Sequence, residues 1–187
     1  MDNLPAKSTK GARMVMVSLS VNGRSVTRMV ESRTHLTDFL RNELDLTGSH
    51  LGCEHGVCGA CTVRVDGDVV RGCLVLAVQL EGARVETIEG ISESGEIADL
   101  QDAFVRRNAL QCGYCTPGIL VCAAELLKKG PTTDRNKIRD FISGNYCRCT
   151  GYQAIVDAIV QTVETRRSGR EQARSDQPSR AIRPDRS

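Results

Sequence analysis

β-branched and apolar residues dominate the run Val15 Met16 Val17 Ser18 Leu19 Ser20 Val21, and after Asn22 Gly23 a second run covers residues 24–30. Asn-Gly between two such runs predicts a β-hairpin, because both turn positions must take positive φ. The pattern then changes period. Leu36, Phe39, Leu40 and Leu44 recur at helical spacing behind Thr34 or Thr37, either of which suits a cap, and predict a short helix across the sheet that ends before Gly48. Residues 52–61 show no apolar period and read as a loop. Residues 62–65 and 68–71, joined by Asp66 Gly67, predict a second hairpin that delivers Cys73, and residues 84–88 a last strand. Strands around one crossing helix make an α+β domain over residues 14–89.

From Gly90 the alternation gives way to helical spacing. Leu100, Phe104 and Val105 mark a helix ending near Asn108. Thr116 as cap and Pro117 in the first turn open a second helix, with Ile119, Leu120, Ala123, Ala124, Leu126 and Leu127 on one wide face and Gly130 Pro131 as its stop. Thr133 or Asp134 opens a third, with Ile138, Phe141 and Ile142 inward, and Tyr152, Ile155, Val156, Ile159, Val160 and Val163 form a fourth. Four helices joined by short loops predict an all-α four-helix bundle domain over residues 90–165. Residues 1–13 are polar and aperiodic and read as a mobile arm. Residues 166–187 hold seven Arg and almost nothing apolar, which reads as a disordered, solvated tail. No solenoid-type repeat is present.

Composition narrows the function classes. With 40% apolar and 26% charged residues in 187, the chain is globular in character, and its longest apolar run, within residues 118–127, is too short to span a bilayer. A net charge of +2 and the absence of Trp give no nucleic-acid footprint. The first residues show neither a secretory h-region nor a twin-arginine pair, so a cytoplasmic location is expected. Nine cysteines are then too many for ordinary packing and odd in number for a disulfide framework, which points to metal.

Eight of the nine fall into two sets. Cys53, Cys58 and Cys61 are spaced C-x4-C-x2-C, as in plant-type [2Fe-2S] loops, with Cys73 as the candidate fourth ligand. Gly52, Gly56 and Gly59 let that backbone bend and turn N–H groups towards sulfur. Cys73 follows sooner than the fourth cysteine of plant ferredoxins does. The second set is Cys112-x2-Cys115 with Cys147-x-Cys149, each half placed where a helix begins and where free N–H groups favour an anion. Two four-cysteine zinc staples are the competing reading. Cys122 is left over and reads as a buried, inert thiol.

The segments Gly52 Cys53 Glu54 His55 Gly56 Val57 Cys58 Gly59 Ala60 Cys61 Thr62, Gln111 Cys112 Gly113 Tyr114 Cys115 Thr116 Pro117 Gly118 and Tyr146 Cys147 Arg148 Cys149 Thr150 Gly151 Tyr152 resemble the iron-sulfur subunit of the xanthine oxidase family of molybdenum hydroxylases. The resemblance covers roughly residues 14–163 and all eight paired cysteines. It implies an N-terminal β-grasp, plant-type ferredoxin-like domain followed by the helical domain, with one [2Fe-2S] cluster in each. It further implies a large subunit binding molybdopterin and a medium subunit binding FAD, assembled as a dimer of heterotrimers.

Carried onto this chain, the resemblance makes Cys53, Cys58, Cys61 and Cys73 the ligands of the flavin-side cluster and Cys112, Cys115, Cys147 and Cys149 those of the molybdenum-side cluster. Gln111 and Cys149 become the pterin contacts. From the residues alone, Gln111 is only a polar residue near a helix terminus. Arg148, between two ligands, reads either as a cation favouring the reduced cluster or as an exposed arginine. With no flavin or pterin domain of its own, the chain is expected to act as an electron-transfer subunit and not as a catalyst by itself. A free-standing two-cluster ferredoxin is the alternative.

Overall fold

The computed structural model describes residues 13–175. The expected arm, apart from Arg13, and the end of the expected tail lie outside the described residues. Asn22 and Gly23 take φ of 49° and 78°, and this turn folds β1 (Met14–Val21) onto β2 (Arg24–Glu31), with Val21 opposite Arg24. Asp66 and Gly67, at 50° and 93°, do the same for β3 (Thr62–Val65) and β4 (Asp68–Arg71). A short β5 (Arg84–Glu86) lies parallel to β1 and antiparallel to β3, so the hairpins join into one mixed sheet of order β2-β1-β5-β3-β4.

The crossing helix is short and irregular. α1 (Leu36–Asp38) widens into a π-type turn over Phe39–Glu43. Its cap is neither threonine: His35 Nδ1 accepts from the Asp38 N–H at 3.1 Å, while Thr37 is fully buried. Leu36, Phe39 and Leu40 are inaccessible to solvent and share one core with Val17, Leu19, Val21, Val30, Val63 and Val85.

The last strand stops at Glu86, two residues earlier than the pattern predicts. Asn22 exchanges two side-chain bonds with Thr87, at 2.9 and 3.0 Å, which ends the ladder there. A short α2 (Ile88–Glu93) follows at once, a fifth helix that the sequence pattern did not indicate. Then come α3 (Ala98–Arg106), α4 (Thr116–Lys129), α5 (Arg135–Ile142) and α6 (Gln153–Ser175). α4 is the spine of this part, buried continuously from Gly118 to Leu127, because it packs on β3 and β4 on one side and on α2 and α5 on the other.

Two expectations about the helices need correcting. Phe141 is 43% exposed, not inward: Ile138 and Ile142 are the buried pair of α5, and at 3.6 residues per turn Phe141 falls about 80° off their midline. Val105 is likewise exposed beside buried Phe104. The tail does not begin at Arg166, since α6 continues to Ser175. Composition overlooked one specific contact: the Arg166 guanidinium grips Asp99 of α3 at 2.7 and 2.8 Å and the Glu96 carbonyl at 2.9 Å. Among the described residues no helix is long and apolar enough to cross a membrane.

Candidate metal centres

The loop carrying Cys53, Cys58 and Cys61 runs between the π-type turn and β3. Glu54, Gly56 and Gly59 have positive φ (57°, 83° and 74°), which folds the backbone back on its own sulfurs. The Cys58 N–H points at Cys53 Sγ at 3.4 Å, and His55 Nδ1 donates to the Cys53 carbonyl. Backbone hydrogen bonds from Cys58 and His55 lower the Cys53 thiol to about 6. Cys73 arrives from the turn after β4, 8% exposed; burial and then its neighbour Cys61 push its thiol up to about 11. A side chain at Gly52 would stand 2.9 Å from Cys58 Sγ. The bare backbone there leaves room for that sulfur, and the four thiols of this set are donors of the kind that fit [2Fe-2S] coordination.

The second set is assembled by helix starts. Cys115 is itself the N-cap of α4, one residue before the threonine expected there, and Pro117 occupies the first turn. Cys147 and Cys149 lie in the loop before α6, where Gly151 and Tyr152 both take positive φ (62° and 67°). Cys112 and Cys149 are exposed with sulfurs 3.6 Å apart, whereas Cys115 and Cys147 are half-buried. Burial, then the Cys147 thiol, pushes Cys115 up to about 12. Burial also pushes Cys147 upward, but hydrogen bonds from Thr150, the backbone and Cys115 outweigh it, and the net direction is down. Gln111 is exposed beside Cys112.

The structure sets the predicted cysteines beside one another within each set: Cys73 lies by Cys61 and Cys53, Cys115 by Cys147 and Cys112, and Cys149 by Cys112. Among the described residues no group of three or more His, Cys, Asp and Glu side chains is arranged to hold a metal ion. Cys122 stays apart, inside the helical core, with its thiol directed at the Phe141 carbonyl at 3.6 Å. Burial pushes that thiol up to about 11. Arg148 is exposed.

Several residues that hold the sites were not singled out by sequence pattern. Tyr152, read only as an apolar residue opening α6, accepts the Cys147 N–H at 2.9 Å and donates to the Asn145 carbonyl at 3.3 Å. Thr150 contacts Cys147 Sγ at 3.2 Å and accepts the Tyr152 N–H. The two loops also touch each other. The Tyr146 N–H donates to the Cys58 carbonyl at 2.8 Å, and buried Asn145 donates to the Gly59 carbonyl at 3.0 Å and to Thr62 at 3.1 Å. His50 stacks on Tyr114, ring centroids 4.5 Å apart, with its Nδ1 donating to the Tyr114 carbonyl. The only advance signal was that Thr150, Gly151 and Tyr152 follow Cys149 directly.

Comparison with known proteins finds two family models along the chain. Residues 19–87 match the family described as 2Fe-2S iron-sulfur cluster binding domain, and residues 87–160 that described as [2Fe-2S] binding domain. Caffeine dehydrogenase subunit gamma of Pseudomonas sp. (strain CBB1) is 52% identical over 77% of this chain and 88% of its own length. The nicotine 6-hydroxylase small subunit of Paenarthrobacter nicotinovorans is 51% identical over 78% and 88%. The crystal structure of quinoline 2-oxidoreductase from Pseudomonas putida 86 contains a chain 47% identical, superposing with a TM-score of 0.77 over 83% of this chain and 98% of that one. The mixed sheet with its [2Fe-2S] loop, the helical part with its own, and this likeness along nearly the whole of those proteins agree: the chain carries two [2Fe-2S] binding domains and belongs to the family of small iron-sulfur subunits of molybdenum hydroxylases.

Proposed function

We propose that the chain is the electron relay of a molybdenum hydroxylase complex. When bound, its two [2Fe-2S] clusters would supply one-electron steps between molybdopterin in a large subunit and FAD in a medium subunit. Cys53, Cys58, Cys61 and Cys73 hold the flavin-side cluster, and Cys112, Cys115, Cys147 and Cys149 the molybdenum-side one. Gln111 and Cys149 face the pterin. The four longer helices serve as the bundle that carries the second set, in a cytoplasmic dimer of heterotrimers.

The observation that carries this reading is the hydrogen bond from the Tyr146 N–H to the Cys58 carbonyl, 2.8 Å. Tyr146 is covalently joined to Cys147, so a ligand of one set and a ligand of the other are separated by a single peptide link and one hydrogen bond. The exposure of Gln111, Cys112 and Cys149 supports a partner at the second set. The similar proteins are named for caffeine, nicotine and quinoline, which supports an N-heterocycle as the substrate of the complex.

Purification of the native complex tests the assembly: molybdenum, FAD and two larger subunits are expected to accompany this chain, and a lone iron-sulfur protein would overturn it. Cys149→Ser in that complex tests the relay. Turnover with an N-heterocyclic substrate should fall at least tenfold while the EPR signal of the first domain persists. Normal turnover with both signals intact would sink the assignment.

A further inference from the structure

Two arginines of the inter-element packing are neutralised by acids. Arg64, 2% exposed, closes on Glu96 at 2.8 Å and on Glu86 at 3.3 Å. Arg166 closes on Asp99 at 2.7 Å. Arg71 is built differently. It ends β4, two residues before Cys73, and reaches across to the helical part. There its Nη2 donates to the Gly144 carbonyl at 2.8 Å and to Asn145 Oδ1 at 3.1 Å, and its Nη1 donates to Thr62 Oγ1. All three acceptors are neutral, and among the described residues no carboxylate pairs with it.

The seat of this guanidinium is shaped by its neighbours. Thr62 and Asn145, 2% and 1% exposed, bond to each other at 3.1 Å and so present two oriented oxygens. A side chain at Gly144 would stand 2.7 Å from Arg71 Nη2. Each contact lies beside a cluster ligand: Thr62 follows Cys61, and Gly144 and Asn145 shortly precede Cys147. A partly buried cation held only by dipoles keeps its field, because no counter-charge cancels it. That field reaches α4, where it opposes the upward push of burial on the Cys122 thiol.

We propose that Arg71 is a positioning residue shared by both clusters: one unneutralised guanidinium that ties the two cysteine loops together and raises the reduction potential of each cluster. It rests on the two-cluster reading given above. A [2Fe-2S] cluster on four thiolates gains one negative charge when it takes up one electron, so a fixed cation nearby favours the reduced form. Removing the charge lowers the potential. Replacing it by another cation restores most of it, although a lysine cannot reproduce the fork of bonds.

The test is an anaerobic redox titration of the assembled complex, with dithionite as reductant and the two [2Fe-2S] EPR signals as readout. In Arg71→Gln both midpoints are expected to fall, each reduction equilibrium shifting by up to about tenfold, which for a one-electron couple is about 59 mV. In Arg71→Lys both should stay close to the native values. Unchanged midpoints in Arg71→Gln overturn the inference, and so does an equal fall in Arg71→Lys, which would make the role structural. Should Arg71→Gln fail to take up both clusters, Asn145→Asp decides, since it keeps the guanidinium and sets a carboxylate against it: lowered midpoints support the inference and unchanged ones overturn it. Absence of two such signals from the unaltered complex would sink the two-cluster reading, and this inference with it, whereas two signals indifferent to Arg71→Gln would sink this inference alone.

Discussion

The first set of cysteines hangs from a sheet and the second from helix starts, and the two are finished to different degrees by this chain. In the first, positive φ at Glu54, Gly56 and Gly59 wraps the backbone around its sulfurs, and the inner cysteines Cys61 and Cys73 are buried at 2% and 8% exposure. In the second, the N-terminus of α4, with Cys115 as its cap, supplies the field that favours an anion, yet the outer pair Cys112 and Cys149 stands open to solvent. A site can therefore be closed by a loop and the turn after a neighbouring strand, or half-closed by helix ends with the remainder left for a neighbour. Only the second arrangement leaves thiols exposed on a surface that a partner subunit must cover in the proposed complex.

The largest expected effect tests that difference in completeness. Cys73→Ser should lose the first cluster and half of the bound iron, and it should lower the thermal midpoint markedly, because the ligand sits inside packed structure and metal binding is coupled to folding there. Cys112→Ser should lose the second signal with a smaller fall in midpoint, since its thiol is exposed. Iron analysis, EPR and calorimetry of both variants check this; equal falls would erase the contrast. Next in size is Gly59→Ala. Gly59 has φ of 74°, and a Cβ there would stand 2.7 Å from Asn145 Nδ2. Backbone strain of about 1–3 kcal/mol is expected, visible as a lower denaturation midpoint. Because Gly59 touches the loop before Cys147, hydrogen exchange should quicken in residues 144–147 as well as in the first loop.

Much of this was legible in the chain because it rests on local chemistry. Asn22 Gly23 and Asp66 Gly67 specify their turns through φ alone, and the cysteine spacings specify which thiols belong to one loop. α2 was hidden because six residues with one buried side chain, Ile91, carry little period. Phe141 misled because an aromatic three residues after Ile138 fits the same stripe until Ile142 takes the inner position. The length of α6 turned on Arg166 meeting Asp99, a pair 67 residues apart, and no composition argument sees such a pair. The junction of Arg71, Thr62, Gly144 and Asn145 was equally invisible: each residue is unremarkable where it stands, and only the docking of the helical part on the sheet gives them a common purpose.

The smallest effect sharpens the comparison most narrowly, because it is confined to one set. Tyr152→Phe keeps the ring, and with it the packing against the helical core, but removes the hydroxyl that accepts the Cys147 N–H at 2.9 Å and donates to the Asn145 carbonyl at 3.3 Å. Leaving that N–H without its partner should cost about 1–2 kcal/mol. A freed N–H beside a ligand can swing towards sulfur or solvent, so the EPR line shape of the second cluster should change. No atom of Tyr152 is bonded to the first loop, and the first signal should stay where it is. If both signals moved together, the two sets would be coupled more tightly than their separate construction implies, and the contrast between a sheet-hung and a helix-hung site would have to give way to a single shared centre of rigidity at the loop of residues 144–147.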